Sequence, residues 1–340
     1  MASEKISSIE LGRLIAIFVV VAMHCQMFLT YFLYQDTPWV GFIFNQSTRF
    51  AVPLFFLISG YLIQPKLITA PIETVKRYCA PLLRVFVVWS VICLLMPFNL
   101  HKVMTEGYLA EREGYWGFLA QSPLNSLLEG GLVHLWFIPA LMLAALITAL
   151  FVKADKLNWL IPVALVMYIY GVLAGSYQNI TELWTPFFTR NGPFFSTLMF
   201  ALGFVIRQKE IRVTATQALV MALLGMVIHF SEAYFLTQYK QAFNANDFLL
   251  GTALWGMGLF LFLLAKPNLG NTPWVLNLSK LVLPIYVAHL PMIIVMMNVS
   301  GFLGLTGATK DAAVFSGAVI LTLLLVKGLE RTPLSKWLFR

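Results

Sequence analysis

Long apolar segments recur along the chain from about Leu11 to Val326, and this pattern constrains the fold more than any other feature. A helix needs about 20 predominantly apolar residues to cross the hydrocarbon core of a bilayer. The sequence predicts ten spans, at residues 10–29, 42–63, 82–98, 133–152, 158–175, 192–206, 215–235, 248–265, 276–298 and 312–328, and it predicts that the ninth is broken by Pro284 and Pro291. Since a helix satisfies its own backbone hydrogen bonds, we expect an all-α, polytopic integral membrane protein with about ten transmembrane helices.

Composition excludes a soluble globular domain of this length. The chain is 59% apolar and 11% charged, with a mean hydropathy of +0.80. Soluble domains usually carry about 25% charged residues. We therefore expect one transmembrane domain over residues 1–340. The first apolar segment has no short apolar region ending at a small-residue cleavage site, so it is expected to stay as a helix.

The net charge of +8 is explained by topology, not by a nucleic-acid partner. Cytoplasmic loops of membrane proteins carry an excess of lysine and arginine. With a cytoplasmic N-terminus, that side holds Lys5, Lys66, Lys76, Arg77, Arg84, Lys153, Lys156, Arg207, Lys209, Arg212, Lys266, Lys280, Lys327, Arg331, Lys336 and Arg340. The opposite side holds Lys102, Arg112, Arg190, Lys240 and Lys310. The bias predicts cytoplasmic N- and C-termini and puts the largest loop, at about residues 99–132, on the opposite side of the membrane.

Two arginines fall inside predicted spans. A charged side chain at the centre of a bilayer costs about 2.5–3.5 kcal/mol on insertion scales, so each arginine marks a candidate functional site. Arg13 lies near the cytoplasmic end of the first span, where its side chain could instead reach the lipid headgroups. Arg49 lies about two turns into the second span. We expect Arg49 to have a partner inside the protein.

His24 follows Arg13 by eleven residues. Eleven residues make about three helical turns, so both side chains share a face and lie about 16 Å apart along the axis. One face then carries a cation at the inner end and a titratable imidazole toward the outer half. This arrangement suits a reaction that spans the membrane. The alternative is that His24 is a hydrogen-bonded core residue.

His134 opens the fourth predicted span and His289 lies in the ninth. With His24 and Arg49 they give four polar side chains at similar depth on four helices. That pattern predicts a buried site, although depth alone does not establish contact. His101 and the seventh-span His229 are expected to be peripheral. Metal-ligand spacing is absent, and we interpret the three cysteines as apolar packing residues.

Four motifs stand out along the chain: the R-x10-H pair of Arg13 and His24, VPLFFLISGY at 52–61, HLWF at 134–137, and LSKLVLPIYVAH at 278–289. Together they resemble the motifs of acyltransferase family 3, the integral-membrane O-acyltransferases of bacterial surface glycans. The motifs follow the family order over nearly the whole chain. Two departures are the Pro-Ile dipeptide before Tyr286, where many members have a polar residue, and the loose match of KRYCAPLLR to an Arg-rich segment.

The resemblance implies transfer of an acetyl or other acyl group from cytoplasmic acetyl-CoA, as co-substrate, to a hydroxyl of a surface glycan or its lipid-linked precursor. It also implies a location in the bacterial inner membrane, which makes the loop at about residues 99–132 periplasmic. No metal is implied. An imidazole with an ordinary pKa of about 6.5 suits removal of the hydroxyl proton at neutral pH, and we assign that role to His24. Arg13 would hold the donor. The phosphates of CoA would meet Lys76, Arg77 and Arg84, which are otherwise topology charges.

The acceptor pocket would be shaped by Arg49, His134, Trp136, Tyr286 and His289. Trp136 is alternatively an interfacial belt residue, and the Ser59–Gly60 pair is expected to let two helices approach closely. Whether the acyl group passes directly to the sugar or first to the enzyme stays open. A transporter or flippase for a lipid-linked glycan or small solute also explains buried arginine and histidine. A sensory or scaffold protein would leave the Arg13–His24 alignment without a role.

Overall fold

A computed structural model describes residues 6–339 of the chain. Within that range the structure is helical, and the β-pairing it contains is an isolated bridge between Tyr34 and Thr37. The helices are α1 (Ser7–His24), α2 (Trp39–Ser47), α3 (Ala51–Thr69), α4 (Pro71–Leu95), α5 (Leu100–Glu106), α6 (Tyr108–Ala120), α7 (Pro123–Glu129), α8 (Phe137–Lys153), α9 (Leu157–Leu173), α10 (Gln178–Thr181), α11 (Pro193–Gln208), α12 (Ala215–Thr237), α13 (Leu250–Ala265), α14 (Pro273–Leu278), α15 (Val282–Phe302), α16 (Gly307–Glu330) and α17 (Ser335–Leu338). Short 3-10 turns cover Val133–Trp136, Phe243–Ala245 and Ser279–Leu281.

Each of the ten predicted apolar segments coincides with a helical segment. Seven of those in the described range are long and apolar enough to cross a membrane: Ser7–His24, Trp39–Thr69, Pro71–Leu95, Val133–Lys153, Ala215–Thr237, Pro273–Phe302 and Gly307–Glu330. Three apolar helices are shorter: Leu157–Leu173, Pro193–Gln208 and Leu250–Ala265. The all-α polytopic fold is confirmed, and seven of the described helices are long enough by themselves to cross a membrane.

The second predicted span is not one continuous helix. Its axis is interrupted by a turn at residues 48–50, between α2 and α3. Pro53 has no N–H to donate to the carbonyl of Arg49, and its ring crowds that carbonyl, so the helix is interrupted there. Arg49 therefore lies at a helix break and not two turns inside a helix.

The ninth span also differs from expectation. We predicted breaks at Pro284 and Pro291, yet α15 runs through both residues, and the irregular turn at Ser279–Leu281 precedes it. Pro284 is the third residue of α15, where a helix does not need a backbone donor. Pro291 lies in the interior of α15 and leaves the carbonyl of Val287 without its helical N–H.

The predicted periplasmic loop at residues 99–132 contains α5, α6 and α7. Arg112 is fully buried there and donates from Nη2 to Glu111 Oε1 over 2.8 Å. Its guanidinium also lies 4.2 Å from the centre of the Phe98 ring. Hydrogen bonding from Arg112, helped by the backbone N–H groups of Phe98 and Asn99, lowers the pKa of Glu111. This segment is thus folded around an internal ion pair.

The chain divides into two compact units, each assembled from separate segments. The first unit consists of Met1–Phe18, Gln46–Cys79 and Ala140–Val282, and the second of Val19–Asn45, Ala80–Pro139 and Leu283–Arg340. The assignment of residues 1–340 to a single domain stays a prediction. Lys5 and Arg340, which entered the charge argument, lie outside the described residues.

Small residues set the helix packing of the first unit. Gly60 on α3 lies against the backbone of Phe200 on α11, and Gly203 on α11 lies against the backbone of Leu57. A side chain at either glycine would collide with a main-chain carbonyl. Close helix approach at Gly60 therefore fits the packing interpretation of the Ser59–Gly60 pair.

Candidate functional site

Three histidines from distant parts of the sequence meet in the second unit. His24 is the last residue of α1, His134 lies in the 3-10 turn before α8, and His289 lies in α15. The ring centres of His24 and His289 are 5.1 Å apart, and those of His289 and His134 are 5.2 Å apart. The predicted convergence is confirmed for these three side chains.

His134 is held by the irregularity of α15. Its Nε2 lies 3.1 Å from the carbonyl oxygen of Val287. That carbonyl accepts no helical hydrogen bond, because the residue four positions later is Pro291. The contact places the hydrogen of a neutral His134 on Nε2. Its Nδ1 then carries the lone pair and has no hydrogen-bond partner among the described residues.

The contacts of His289 and His24 also define their tautomers when both rings are neutral. His289 Nδ1 donates to the carbonyl of Tyr286 over 2.6 Å, so the lone pair of His289 lies on Nε2. This Nε2 is 3.3 Å from Nδ1 of His24, which also lies 3.0 Å from the carbonyl of Val20. A hydrogen on His24 Nδ1 satisfies both acceptors. The basic lone pair of His24 is then on Nε2.

The three histidines differ in burial. His289 is 0% exposed and His134 is 2% exposed, whereas His24 is partly exposed. Of the three rings, His24 is the one that a substrate reaches without a rearrangement of the core. We call His24, His289 and His134 the histidine chain, and His24 is its most exposed member.

Tyr286 stabilises the turn that carries His134. Its hydroxyl donates to the backbone carbonyl of His134, and its ring packs 5.5 Å from the ring of Phe137. Trp136 lies in the same turn, with its ring 6.4 Å from that of Phe137. Tyr286 is 9% exposed. The predicted contacts of Trp136 and Tyr286 with an acceptor stay predictions.

Arg49 has the interior partner that the sequence predicts. In the first unit its Nη1 lies 3.2 Å from Asp247 Oδ1, and its Nη2 donates to the carbonyl of Asn244. Arg190 contacts the other carboxylate oxygen of Asp247 at 2.6 Å. Burial acts to raise the pKa of Asp247, but the charges and hydrogen bonds of Arg190 and Arg49 bring that pKa below its usual value.

Sequence reasoning missed Asp247 and Arg190 because both lie in connecting segments. Arg190 precedes α11 and Asp247 precedes α13 by a few residues. Charges at such positions are ordinarily solvated, so no local pattern distinguishes them. The signal that existed was the unbalanced charge of Arg49, which required an acidic partner somewhere in the chain.

The prediction that His229 is peripheral is wrong. His229 is 0% exposed, with Nδ1 2.8 Å from Thr252 Oγ1 and Nε2 3.0 Å from Gln46 Oε1. Gly251 on α13 lies directly against the backbone of His229, which brings α12 and α13 close together and encloses the ring. His101, by contrast, is exposed as expected.

Arg13 is paired with a neighbour on its own helix. Its Nη1 lies 3.0 Å from Glu10 Oε2, and its side chain is 28% exposed. Glu10 was overlooked, although the i, i+3 spacing on a helix was visible in the sequence. Tyr78 on α4 lies within electrostatic reach of Arg13, and the Tyr78 hydroxyl interacts with Ser59. Arg13 thus acts electrostatically on Tyr78, while its ion pair is with Glu10.

The other predicted donor-binding residues lie on α4. Lys76 is exposed. Arg77 pairs with Glu73 at 2.7 Å while its side chain stays 80% exposed. The Arg84 guanidinium lies 5.6 Å from the centre of the Trp337 ring. The role of these three residues toward phosphate stays a prediction.

The cysteines are free: Cys25 and Cys93 are buried and Cys79 is half-buried. Across residues 6–339, no group of three or more His, Cys, Asp or Glu side chains is arranged to hold a metal ion.

Comparison with known proteins identifies the family. The family model described as "Acyltransferase domain" matches residues 6–327, nearly the whole chain. No solved structure matches. The family resemblance carried by the four sequence motifs is confirmed.

The curated relatives include longer proteins from enterococci. A protein named "Serine/alanine racemase" from Enterococcus gallinarum is 30% identical over 247 residues, covering 66% of this chain and 33% of the relative. One named "Amino-acid racemase" from Enterococcus faecalis is 27% identical over 215 residues, covering 59% and 28%. Another of that name and organism is 24% identical over 318 residues, covering 88% and 42%. The chain therefore spans less than half the length of each of these relatives.

Proposed function

The chain belongs to the acyltransferase domain family, and from that membership we propose that it is a membrane O-acyltransferase using acetyl-CoA as donor. The acceptor that we propose is a hydroxyl of a cell-surface glycan or its lipid-linked precursor. The proposal depends on two properties of His24, its partial exposure and its tautomer. It is partly exposed, and its Nδ1 is hydrogen-bonded to Val20 and His289, so its basic nitrogen is Nε2.

The chemistry requires such a group. A sugar hydroxyl is a weak nucleophile until a base removes its proton, and a positioned base contributes about 10²–10⁴-fold to rate. In the proposed transfer, His24 Nε2 takes that proton as the sugar oxygen forms a bond to the acyl carbon. The carbon–sulfur bond of the thioester breaks, and the thiolate of CoA receives the proton from His24. Atoms and charge then balance with CoA and the acylated sugar as products.

The donor is proposed to bind through basic residues on the cytoplasmic side. The charge of Arg13 acts electrostatically on Tyr78, and Tyr78 directly follows Lys76 and Arg77 on α4. A guanidinium presents a planar fork of donors to carbonyl or phosphate oxygens. We propose that Arg13 orients the acyl or pantetheine end of acetyl-CoA and that Lys76, Arg77 and Arg84 meet its phosphates.

The acceptor assignment depends on the motif set, which resembles that of enterobacterial common antigen O-acetyltransferase. We propose a lipid-linked or surface glycan acceptor and a location in the bacterial inner membrane, with both termini in the cytoplasm. Arg49 and Trp136 are proposed to shape its binding. The proteins named racemases match this chain over a minor part of their own length, so their names are not used to propose a substrate.

The activity is tested with purified protein in nanodiscs, radiolabelled acetyl-CoA and glycan lipid extracted from a strain that lacks this gene. We expect label to move to the glycan lipid with the wild-type protein. His24→Ala should lower the rate by at least about 100-fold. The matched control is His101→Ala, since His101 is exposed and stands outside the histidine chain. Full activity of His24→Ala would exclude His24 as the base.

A second measurement separates the acyltransferase from a transporter or flippase. Sealed vesicles of both orientations are supplied with labelled acetyl-CoA from outside. The proposal predicts label on glycan in inside-out vesicles, where the cytoplasmic face is accessible. Movement of glycan lipid between leaflets without any acyl transfer would favour the flippase, and labelling confined to right-side-out vesicles would reverse the proposed topology.

A further inference from the structure

We infer that His289 is a positioning residue for His24: its Nε2 lone pair holds the Nδ1–H of His24 and thereby keeps His24 Nε2 basic and in place. The inference rests on the proposed function of His24. It gives His289 a role through another residue and not through contact with the acceptor.

The orientation of His289 is fixed from its own helix. Its Nδ1 donates to the carbonyl of Tyr286 over 2.6 Å, so the opposite ring nitrogen has no hydrogen and acts as an acceptor. The ring is 0% exposed and packs edge-to-face at 5.2 Å from His134. A side chain held on these sides cannot swing to a substrate without repacking α15. It can, however, receive a hydrogen bond from His24 at 3.3 Å.

The Nδ1–H of His24 also has an acceptor on its own helix, the carbonyl of Val20, but this contact does less to fix the direction of the ring. The Val20 carbonyl lies four residues before His24 on α1, where the backbone N–H of His24 already donates in a regular helix. A bond to Val20 alone would hold the imidazole close to its own helix. The lone pair of His289 comes from a different helix and fixes the direction of the ring.

A base is effective only in one tautomer and one orientation, and enzymes commonly use a third group to fix both. When His24 takes the hydroxyl proton on Nε2, its ring becomes cationic and its Nδ1–H becomes a stronger donor. The His289 lone pair then stabilises the charged ring at the moment when charge develops. The hydrogen bond therefore contributes to the transition state more than to substrate binding.

Two substitutions of nearly equal size test the inference. In His289→Gln the side-chain oxygen reaches the position of Nε2 and again accepts from His24. In His289→Asn the amide reaches only the position of Nδ1, so it keeps the Tyr286 contact and loses the His24 contact. We expect Asn to lower kcat at least about tenfold with KM for both substrates unchanged, and Gln to stay within about threefold of wild type.

The alternatives give different results. Equal loss in both variants, accompanied by a lower thermal midpoint, would mean that His289 is only structural. A rise in KM for the glycan with kcat retained would mean that it contacts the acceptor. Either result overturns the inference. In a His24→Ala background the difference between Asn and Gln should vanish, and its persistence would also contradict the inference.

A measurement on the unmodified side chains covers the case in which a variant does not fold. Nitrogen-15 NMR of histidine-labelled protein in nanodiscs distinguishes the two neutral tautomers. The inference predicts that His24 carries its hydrogen on Nδ1 in wild type, and Nε2–H would overturn it. If wild type transfers no acyl group, or His24→Ala is fully active, the proposed function fails. If only the Asn–Gln contrast is missing, the inference fails alone.

Discussion

The Nε2 nitrogen of His134 lies 3.1 Å from the carbonyl oxygen of Val287, in the interior of α15. This carbonyl is available because Pro291, four residues later, has no N–H to donate to it. Pro291 and His134 are 157 positions apart in the sequence. Pro291 leaves the Val287 carbonyl without its helical partner, and the contact with that carbonyl determines which ring nitrogen of buried His134 carries the hydrogen.

Pro291→Ala is expected to lower acyl transfer without lowering stability. The substitution restores a backbone N–H that competes with His134 for the Val287 carbonyl, so the anchor of His134 weakens while the helix gains a hydrogen bond. We expect a several-fold fall in kcat and an unchanged or higher thermal midpoint. Pro162→Ala is the matched control, since Pro162 lies inside α9 in the other unit. Wild-type kcat in Pro291→Ala would show that the anchor is unimportant.

Arg13→Lys distinguishes donor positioning from interfacial anchoring. Lysine keeps the charge and can still pair with Glu10, but it lacks the planar fork of the guanidinium. If Arg13 orients the donor, transfer should fall at least about tenfold, equivalent to about 1.4 kcal/mol of transition-state stabilisation. Initial rates against acetyl-CoA concentration measure this, beside a thermal-stability check. A fully active lysine variant would leave His24 as the sole functional assignment on α1.

Asp247→Asn is expected to destabilise the first unit. The substitution leaves Arg49 and Arg190, whose side chains are 15% and 17% exposed, without the carboxylate that they share. We expect a loss of about 1–3 kcal/mol, moderated because Asp247 itself is 33% exposed. Thermal unfolding in detergent measures the loss. Asp155→Asn, at an exposed turn, is the control, and adding Arg190→Gln to Asp247→Asn should restore part of the stability.

Stability should depend on pH through Glu111. Its pKa is lowered, chiefly by the hydrogen bond from buried Arg112, so its contribution is present above the usual glutamate pKa of about 4.3 and is lost as pH falls through the lowered value. The gap in thermal midpoint between wild type and Glu111→Gln should therefore be largest above about pH 5 and should narrow below about pH 4. Exposed Glu113→Gln should show no such gap. A gap that stays constant with pH would contradict the assignment.

Local sequence patterns were sufficient for the positions of the apolar helices and for the shared helix of Arg13 and His24. Both follow from short-range physics: apolar length sets a span, and helical periodicity sets which residues share a face. The motif order likewise led to the family. The same reasoning failed at Pro53 and Pro291, because a proline in the sequence does not tell whether a helix breaks or is repaired by a neighbour.

The sequence by itself determined a polytopic helical chain with His24 at one helix end and the inner arginine three turns earlier. Only the tertiary structure decided that His289 lies between His24 and His134, that Asp247 pairs with Arg49, and that His229 is enclosed. The physical reason is that helix propensity and hydropathy are local quantities, whereas these hydrogen bonds join residues far apart in sequence. For His229, for example, the close contact at Gly251 lets α12 and α13 approach, and no local pattern records that choice.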